Sequence, residues 1–210
     1  MIYGHDFTAT EPFDAAKITE EASRSWYEED MPLSPYEGET TPFYTDLNED
    51  GTLKTEGKYS WVKAPRYGGE VMEVGPLARM IIGVVKNSPI ISPYMERFME
   101  QTGLELIDFS SGVGRNAARA VEAQICCDYL FDMMSDLIEN IKYYDETTWT
   151  KYVFEELPEA AEGAGIFEVP RGVLGHFVRI EEARIANYQA VVPTTWNASP
   201  KDARNRRGAY

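Results

Sequence analysis

The chain has 210 residues, 43% hydrophobic and 12% aromatic, which is enough apolar material for a packed core and argues against disorder. Its 35 acidic residues outnumber 20 basic ones, and the formal net charge of −15 repels a phosphate backbone, so no nucleic acid partner is expected. The apolar runs, such as Met80 to Ile82, fall far short of the ~20 residues a membrane helix needs, and Met1 to Asp30 shows no basic-then-apolar leader, so neither a membrane span nor a signal peptide is expected.

Residues 1–60 read as an irregular surface segment. Pro12, Pro32, Pro35 and Pro42 punctuate acidic and aromatic residues, one short helix is expected near Ala15 to Tyr27, and Asn48, Asp50 and Gly51 mark a turn. Residues 61–157 read as mainly helical. From Ala64 through Pro76 glycines and prolines set a loop, and helices are expected over Leu77 to Lys86 and Pro93 to Gln101. A long helix should follow Gly114 and run to about Tyr144. Cys126, Leu130, Met133, Leu137 and Ile141 form one apolar stripe, and Cys127, Phe131, Met134 and Ile138 form a second. Two stripes predict a helix buried on most of its circumference, inside a helical bundle. Residues 158–210 read as β-rich, with short strands over Ile166 to Glu168, Val173 to Ile180 and Arg184 to Val192. The fold class is α+β, with a helical middle and a β-rich C-terminal part.

Soft metal ligands are scarce. The two cysteines, Cys126 and Cys127, are adjacent and point about 100° apart on a helix, so they are a poor chelating pair and read as core filler. The two histidines are His5 and His176. The acidic clusters Glu20-Glu21, Glu28 to Asp30 and Glu155-Glu156 lack metal-ligand spacing and read as solvated faces. Gly112-Val113-Gly114-Arg115-Asn116-Ala117 fits a dinucleotide-binding fingerprint after a possible strand, Leu104 to Phe109. The following helix is too long for a crossover and no second buried strand comes after it, so a glycine-eased helix start is the better reading. Asn197-Ala198-Ser199 matches a glycosylation acceptor but is followed by Pro200, and it is discounted.

The tail carries a more specific pattern: Glu168-Val169-Pro170-Arg171-Gly172-Val173-Leu174-Gly175-His176, then Asn187 to Pro200 with Val191-Val192-Pro193-Thr194-Thr195-Trp196-Asn197. Upstream, in order, stand Lys63-Ala64-Pro65-Arg66-Tyr67, Met72-Glu73-Val74-Gly75-Pro76-Leu77-Ala78-Arg79 and Gly114-Arg115-Asn116-Ala117-Ala118-Arg119-Ala120. With these blocks the chain resembles large subunits of hydrogen-uptake nickel-iron hydrogenases from residue 58 onward. The resemblance implies part of that fold and a centre in which four cysteine thiolates hold nickel, two of them bridging to an iron with one carbon monoxide and two cyanide ligands. Neither cysteine pair of the family lies in this sequence, so an internal piece, inactive alone, is expected. Arg171, in its Pro170-Arg171-Gly172 setting, matches the arginine over the open face of the metals. Thr194 matches a hydroxyl donor to a cyanide, with backbone N–H groups in the Val192 to Thr195 segment assisting, and Pro170, Val192 and Pro193 count with them among the residues around the centre. The Ala190 carbonyl matches a backbone ligand of magnesium, and His176 is not expected to be a ligand. The resemblance also implies H2 as substrate, an iron-sulfur small subunit as partner, and a periplasmic or membrane-associated location through that subunit. Two further readings stay open: a metal-free relative of the quinone-pocket subunit of respiratory complex I, and a non-catalytic assembly or binding protein.

Overall fold

The computed structural model describes residues 12–38, 40–44, 47–52, 57–149 and 158–210. His5 and the Glu155-Glu156 pair lie outside these residues. The chain divides into two compact units, residues 1–78 with 158–210, and residues 79–157.

The first unit opens with a single 3-10 turn, Ala15–Lys17, capped by the Asp14 side chain, which accepts from Ala16 N–H at 3.0 Å. The chain then extends as β1 (Ile18–Glu21) against β2 (Ala64–Tyr67), antiparallel with Ile18 opposite Tyr67. The helix expected near Ala15 to Tyr27 is therefore replaced by a turn and a strand. β-Branched Ile18 and Thr19 favour the extended form, and Ile18 is buried. The loop expected from Ala64 likewise begins as a strand. The turn at Asn48 is present: Gly51 N–H donates to the Asn48 carbonyl at 2.9 Å, with Gly51 at φ +81°.

The C-terminal part forms a three-stranded antiparallel sheet, β3 (Ala161–Val169), β4 (Gly172–Glu181) and β5 (Arg184–Val191), with β4 central. The expected strands fall within these limits, except that Val192 lies one residue past β5. Pro170 and Arg171 make the β3–β4 turn, and Glu182 and Ala183, both at positive φ, make the β4–β5 turn in the manner of a two-residue hairpin. β5 leads through Val192 into the short helix α4 (Pro193–Asn197). One core joins these elements: Ile18, Tyr67, Val74, Val173, Phe177, Val191 and Trp196.

The second unit is helical. It takes most of α1 (Pro76–Val85), together with α2 (Ser92–Thr102) and α3 (Gly112–Tyr143). The possible strand at Leu104 to Phe109 is a 3-10 turn over Leu106–Phe109, closed by reciprocal side-chain caps from Glu105 and Asp108. Ser111 caps α3 by accepting from Gly114 N–H at 3.0 Å, and a Cβ on Gly114 would lie 2.3 Å from the Phe109 carbonyl oxygen. The glycines of the G-x-G-x-x-A run thus start a helix and admit close packing on Phe109. Arg79 on α1 grips Glu122 on α3 through a two-pronged ion pair at 2.5 and 2.8 Å.

The long helix is present, but its burial departs from expectation. Its buried residues are Gly114, Ala118, Val121 and Ile125, all in the first half. Leu130, Met133, Leu137, Ile141, Phe131, Met134 and Ile138 are exposed, as are Cys126 and Cys127. Length explains this: the 32 residues of α3 span ~48 Å, whereas the 11 residues of α2 span about 16 Å and cannot cover both turns and stripes along the whole helix. The cysteines are not core filler within this chain.

Candidate functional site

In the first unit, β4 begins where antiparallel β5 ends, so the Pro170-Arg171 turn and the Val192–Asn197 segment meet at one end of the sheet. Pro170, Arg171, Val192 and Thr194 are exposed there, and Pro193 is buried. Ala190 lies opposite His176 on β5, an edge strand, where alternate carbonyls face away from the ladder.

The two threonines of α4 differ. The Thr195 hydroxyl donates to the Val192 carbonyl at 2.6 Å and closes the first turn. Neither the Thr194 hydroxyl nor the Arg171 guanidinium has a hydrogen bond or ion pair among the described residues. A permanent cation with a planar fork of donors and a free hydroxyl donor therefore stand at one end of the sheet. That donor set fits a guest that accepts hydrogen bonds and carries negative charge. It does not supply thiolates, and the described residues contain no group of three or more His, Cys, Asp or Glu side chains that could hold a metal ion.

Two glycines allow the turn to sit low on the chain beneath it. Gly75, at φ +110°, lies so close to the turn that a Cβ would be 2.7 Å from the Arg171 carbonyl oxygen. Gly172, at φ +136°, would put a Cβ 2.5 Å from Val74 Cγ2 and 2.8 Å from Gly75 N. Both conformations and both contacts select glycine.

His176 contacts the Tyr188 hydroxyl through Nδ1 and stacks on Phe167, with ring centroids 6.1 Å apart. It is engaged in cross-strand packing.

Sequence reasoning missed three residues that hold this end together. Asn197, only 2% exposed, accepts from Val74 N–H at 2.9 Å and donates to the Val74 carbonyl at 2.8 Å. It was visible only as a glycosylation acceptor, and burial rules that out within this fold. Arg66 and Asp202, 2% and 1% exposed, form a buried ion pair at 2.9 Å. Arg66 also donates to the Pro65 carbonyl, the Ser199 hydroxyl and the Arg206 carbonyl, and Arg206 continues to Asp202 and to Glu70 at 2.6 Å. Burial pushes the Asp202 carboxyl up, but hydrogen bonds from the Arg206 N–H and from Arg66, with the Arg66 charge, hold it below the usual carboxylate range. A signal for this pair existed only in the coexistence of Arg66 and a basic tail in an acidic chain.

A sequence model of the nickel-dependent hydrogenases matches residues 1–210. The quinone-reactive Ni/Fe-hydrogenase large chain of Wolinella succinogenes is 43% identical over 222 residues, covering 100% of this chain and 38% of that one. The uptake hydrogenase large subunit of Rhodobacter capsulatus is 40% identical over 218 residues, covering 98% of this chain and 36% of that one. Among solved structures, a nickel-iron-selenium hydrogenase of Desulfomicrobium baculatum superposes with a TM-score of 0.66 at 32% identity, covering 95% of this chain and 38% of that chain. The nickel-iron-selenium hydrogenase of Desulfovibrio vulgaris Hildenborough gives 0.62 at 32% identity, with 95% and 39% covered. The chain thus spans well under half the length of these relatives. Sequence blocks, α+β architecture and both sets of relatives agree that this chain belongs to the nickel-dependent hydrogenase family.

Proposed function

We propose that this chain forms part of the wall around a nickel-iron centre in a full-length large subunit that oxidises H2 reversibly to protons and electrons. One observation carries the reading: Arg171 and Thr194 stand at the same end of one sheet with their donors unspent, while their neighbours Thr195 and Asn197 are satisfied. When bound, the centre supplies heterolytic cleavage of H2 at its metals, with the thiolate ligands coming from outside this chain. Arg171 would hold a positive charge and planar donors toward the centre when it is bound, and Pro170 restricts the backbone at its turn. Thr194 would donate its hydroxyl to a cyanide nitrogen, assisted by its own backbone N–H in the Val192 to Thr195 segment; Pro193 has no N–H and the Thr195 N–H donates to the Val192 carbonyl at 3.1 Å. The backbone carbonyl of Ala190, on the edge strand β5, would serve a nearby magnesium ion.

Relatives named as a large chain and as a large subunit support a protein that works beside a smaller partner; the family resemblance makes that partner an iron-sulfur small subunit that receives the electrons, at a periplasmic or membrane-associated location. Among the described residues no helix is long and apolar enough to cross a membrane.

Arg171→Lys in the full-length heterodimer tests the reading, because lysine keeps the charge but loses the planar fork. H2 oxidation should fall on the order of 100-fold, the effect of removing one well-placed donor, with nickel content near parental. A parallel loss of nickel would show Arg171 to be structural.

A further inference from the structure

We infer that Asn197, acting through Val74 and Gly75, is a positioning residue that sets the placement of Arg171 relative to Thr194. The inference rests on the roles proposed above for those two residues. Its starting point is a gap in the sheet. The β4–β5 ladder begins at Gly175 opposite Val191, so Gly172, Val173 and Leu174 have no β5 partner, and Val192 to Thr195 have no β4 partner. The ladder therefore does not fix the Arg171 turn against the Thr194 segment.

The loop at Val74 and Gly75 spans that gap. On one side Asn197, three residues after Thr194 in α4, satisfies both backbone groups of Val74, at 2.9 and 2.8 Å, as a neighbouring strand would. Val74 belongs to neither sheet and is 2% exposed, so without this carboxamide its N–H and carbonyl would be buried unpaired. On the other side Gly75 and Gly172 bring the Arg171 turn onto the same two residues, with no room for a Cβ at either. The chain of contacts runs from Thr194 through α4 to Asn197, across to Val74 and Gly75, and on to Arg171.

The chemistry of the clamp is specific. Asn197 Nδ2 also donates to the Tyr210 hydroxyl at 3.2 Å, so the side chain cannot swing away without losing partners on both Val74 and Tyr210; the Asn197 backbone carbonyl separately accepts from Tyr210 N–H at 2.9 Å. Aspartate would set an oxygen against the Val74 carbonyl in place of the donor at 2.8 Å. That isosteric change keeps shape and breaks the pairing.

The test uses the full-length large subunit in its complex with the small subunit, and compares Asn197→Asp and Gly75→Ala with Thr194→Val and Arg171→Lys. Metal content, the infrared cyanide bands and hydrogen exchange of the Val74 amide are read together. Asn197→Asp should keep nickel and iron near parental, speed Val74 exchange about tenfold or more, and move both cyanide bands. Gly75→Ala should move the band that Arg171→Lys moves and spare the one that Thr194→Val moves. Parental bands in metal-replete Asn197→Asp, despite faster exchange, would make the clamp merely structural and overturn the inference. If Asn197→Asp does not assemble, Gly75→Ala decides in the same way, and failure of both to load metal also marks the clamp as structural. Should Thr194→Val and Arg171→Lys move the bands while the clamp variants do not, positioning alone fails. If none of the four moves them, the pocket reading fails and takes the inference with it.

Discussion

Thr194 and Thr195 provide an internal control, because adjacent residues of one type spend their hydroxyls differently. Thr195 donates to the Val192 carbonyl at 2.6 Å, whereas Thr194 is exposed and has no partner among the described residues. Thr194→Val nearly conserves volume and removes only the free hydroxyl. Its cost to the fold should lie within about 0.5 kcal/mol, as for a surface substitution. A hydrogen bond to a charged acceptor is worth roughly 1.5–3 kcal/mol, so losing it should alter the electron density at the iron without ejecting the metal. Thr195→Val should reverse the pattern, costing the fold about 0.5–1.5 kcal/mol for a neutral bond to backbone and leaving the cyanide bands in place. Infrared spectra and thermal unfolding of the two full-length heterodimers measure both effects. The carbon monoxide band should move less than the cyanide band in Thr194→Val. Identical cyanide bands in a metal-replete Thr194→Val protein, or a larger shift in Thr195→Val, would mean that Thr194 does not face the centre.

Asp202→Asn leaves the buried Arg66 guanidinium facing an amide, and breaking one side of a buried pair costs about 3–5 kcal/mol; thermal unfolding of the full-length protein should show a matching drop. The pH dependence follows from the depressed Asp202 carboxyl: its stabilisation is present above the unfolded carboxylate range near ~3.9 and is lost as pH falls through the lower folded value. Acid unfolding curves should therefore lose that limb in Asp202→Asn, and an unchanged curve would contradict the assignment. Cys126→Ser with Cys127→Ser should leave the nickel-to-protein ratio of the full-length enzyme unchanged by metal analysis, since among the described residues neither cysteine falls in a ligand group and the two point about 100° apart on α3; loss of nickel would overturn this.

The parts of the fold legible in the sequence were those whose cause is local. The 3.6-residue spacing marks α1, α2 and α3 to within a few residues, and β-branched runs between turn residues mark β4 and β5. β2 was hidden because Ala64-Pro65-Arg66-Tyr67 has little strand character of its own; its extension depends on β1, far upstream. Periodicity also showed that α3 has apolar faces but not what would cover them, so burial was read beyond Ile125, where the described residues leave the helix exposed. At the site, Arg171 and Thr194 could be named only through family resemblance. Asn197 was illegible because its bond partner lies 123 residues away, and no local pattern marks a carboxamide that serves as a strand.

The Arg66–Asp202 pair has a consequence for synthesis. Its partners are 136 residues apart, and the same guanidinium also binds the Ser199 hydroxyl and the Arg206 carbonyl. At roughly 5–20 residues per second, the ribosome needs on the order of 7–30 s after adding Arg66 before Asp202 exists. During that interval β2 carries an arginine whose eventual place is buried and whose counter-charge has not been made. Arg66 must stay hydrated, and the strand pair unsealed, until the last residues of this segment emerge. The second unit, whose ion pair between Arg79 and Glu122 closes over 43 residues, has its contacts available first. Within these 210 residues the contacts of the helices therefore become available before those of the sheet end that carries Arg171 and Thr194.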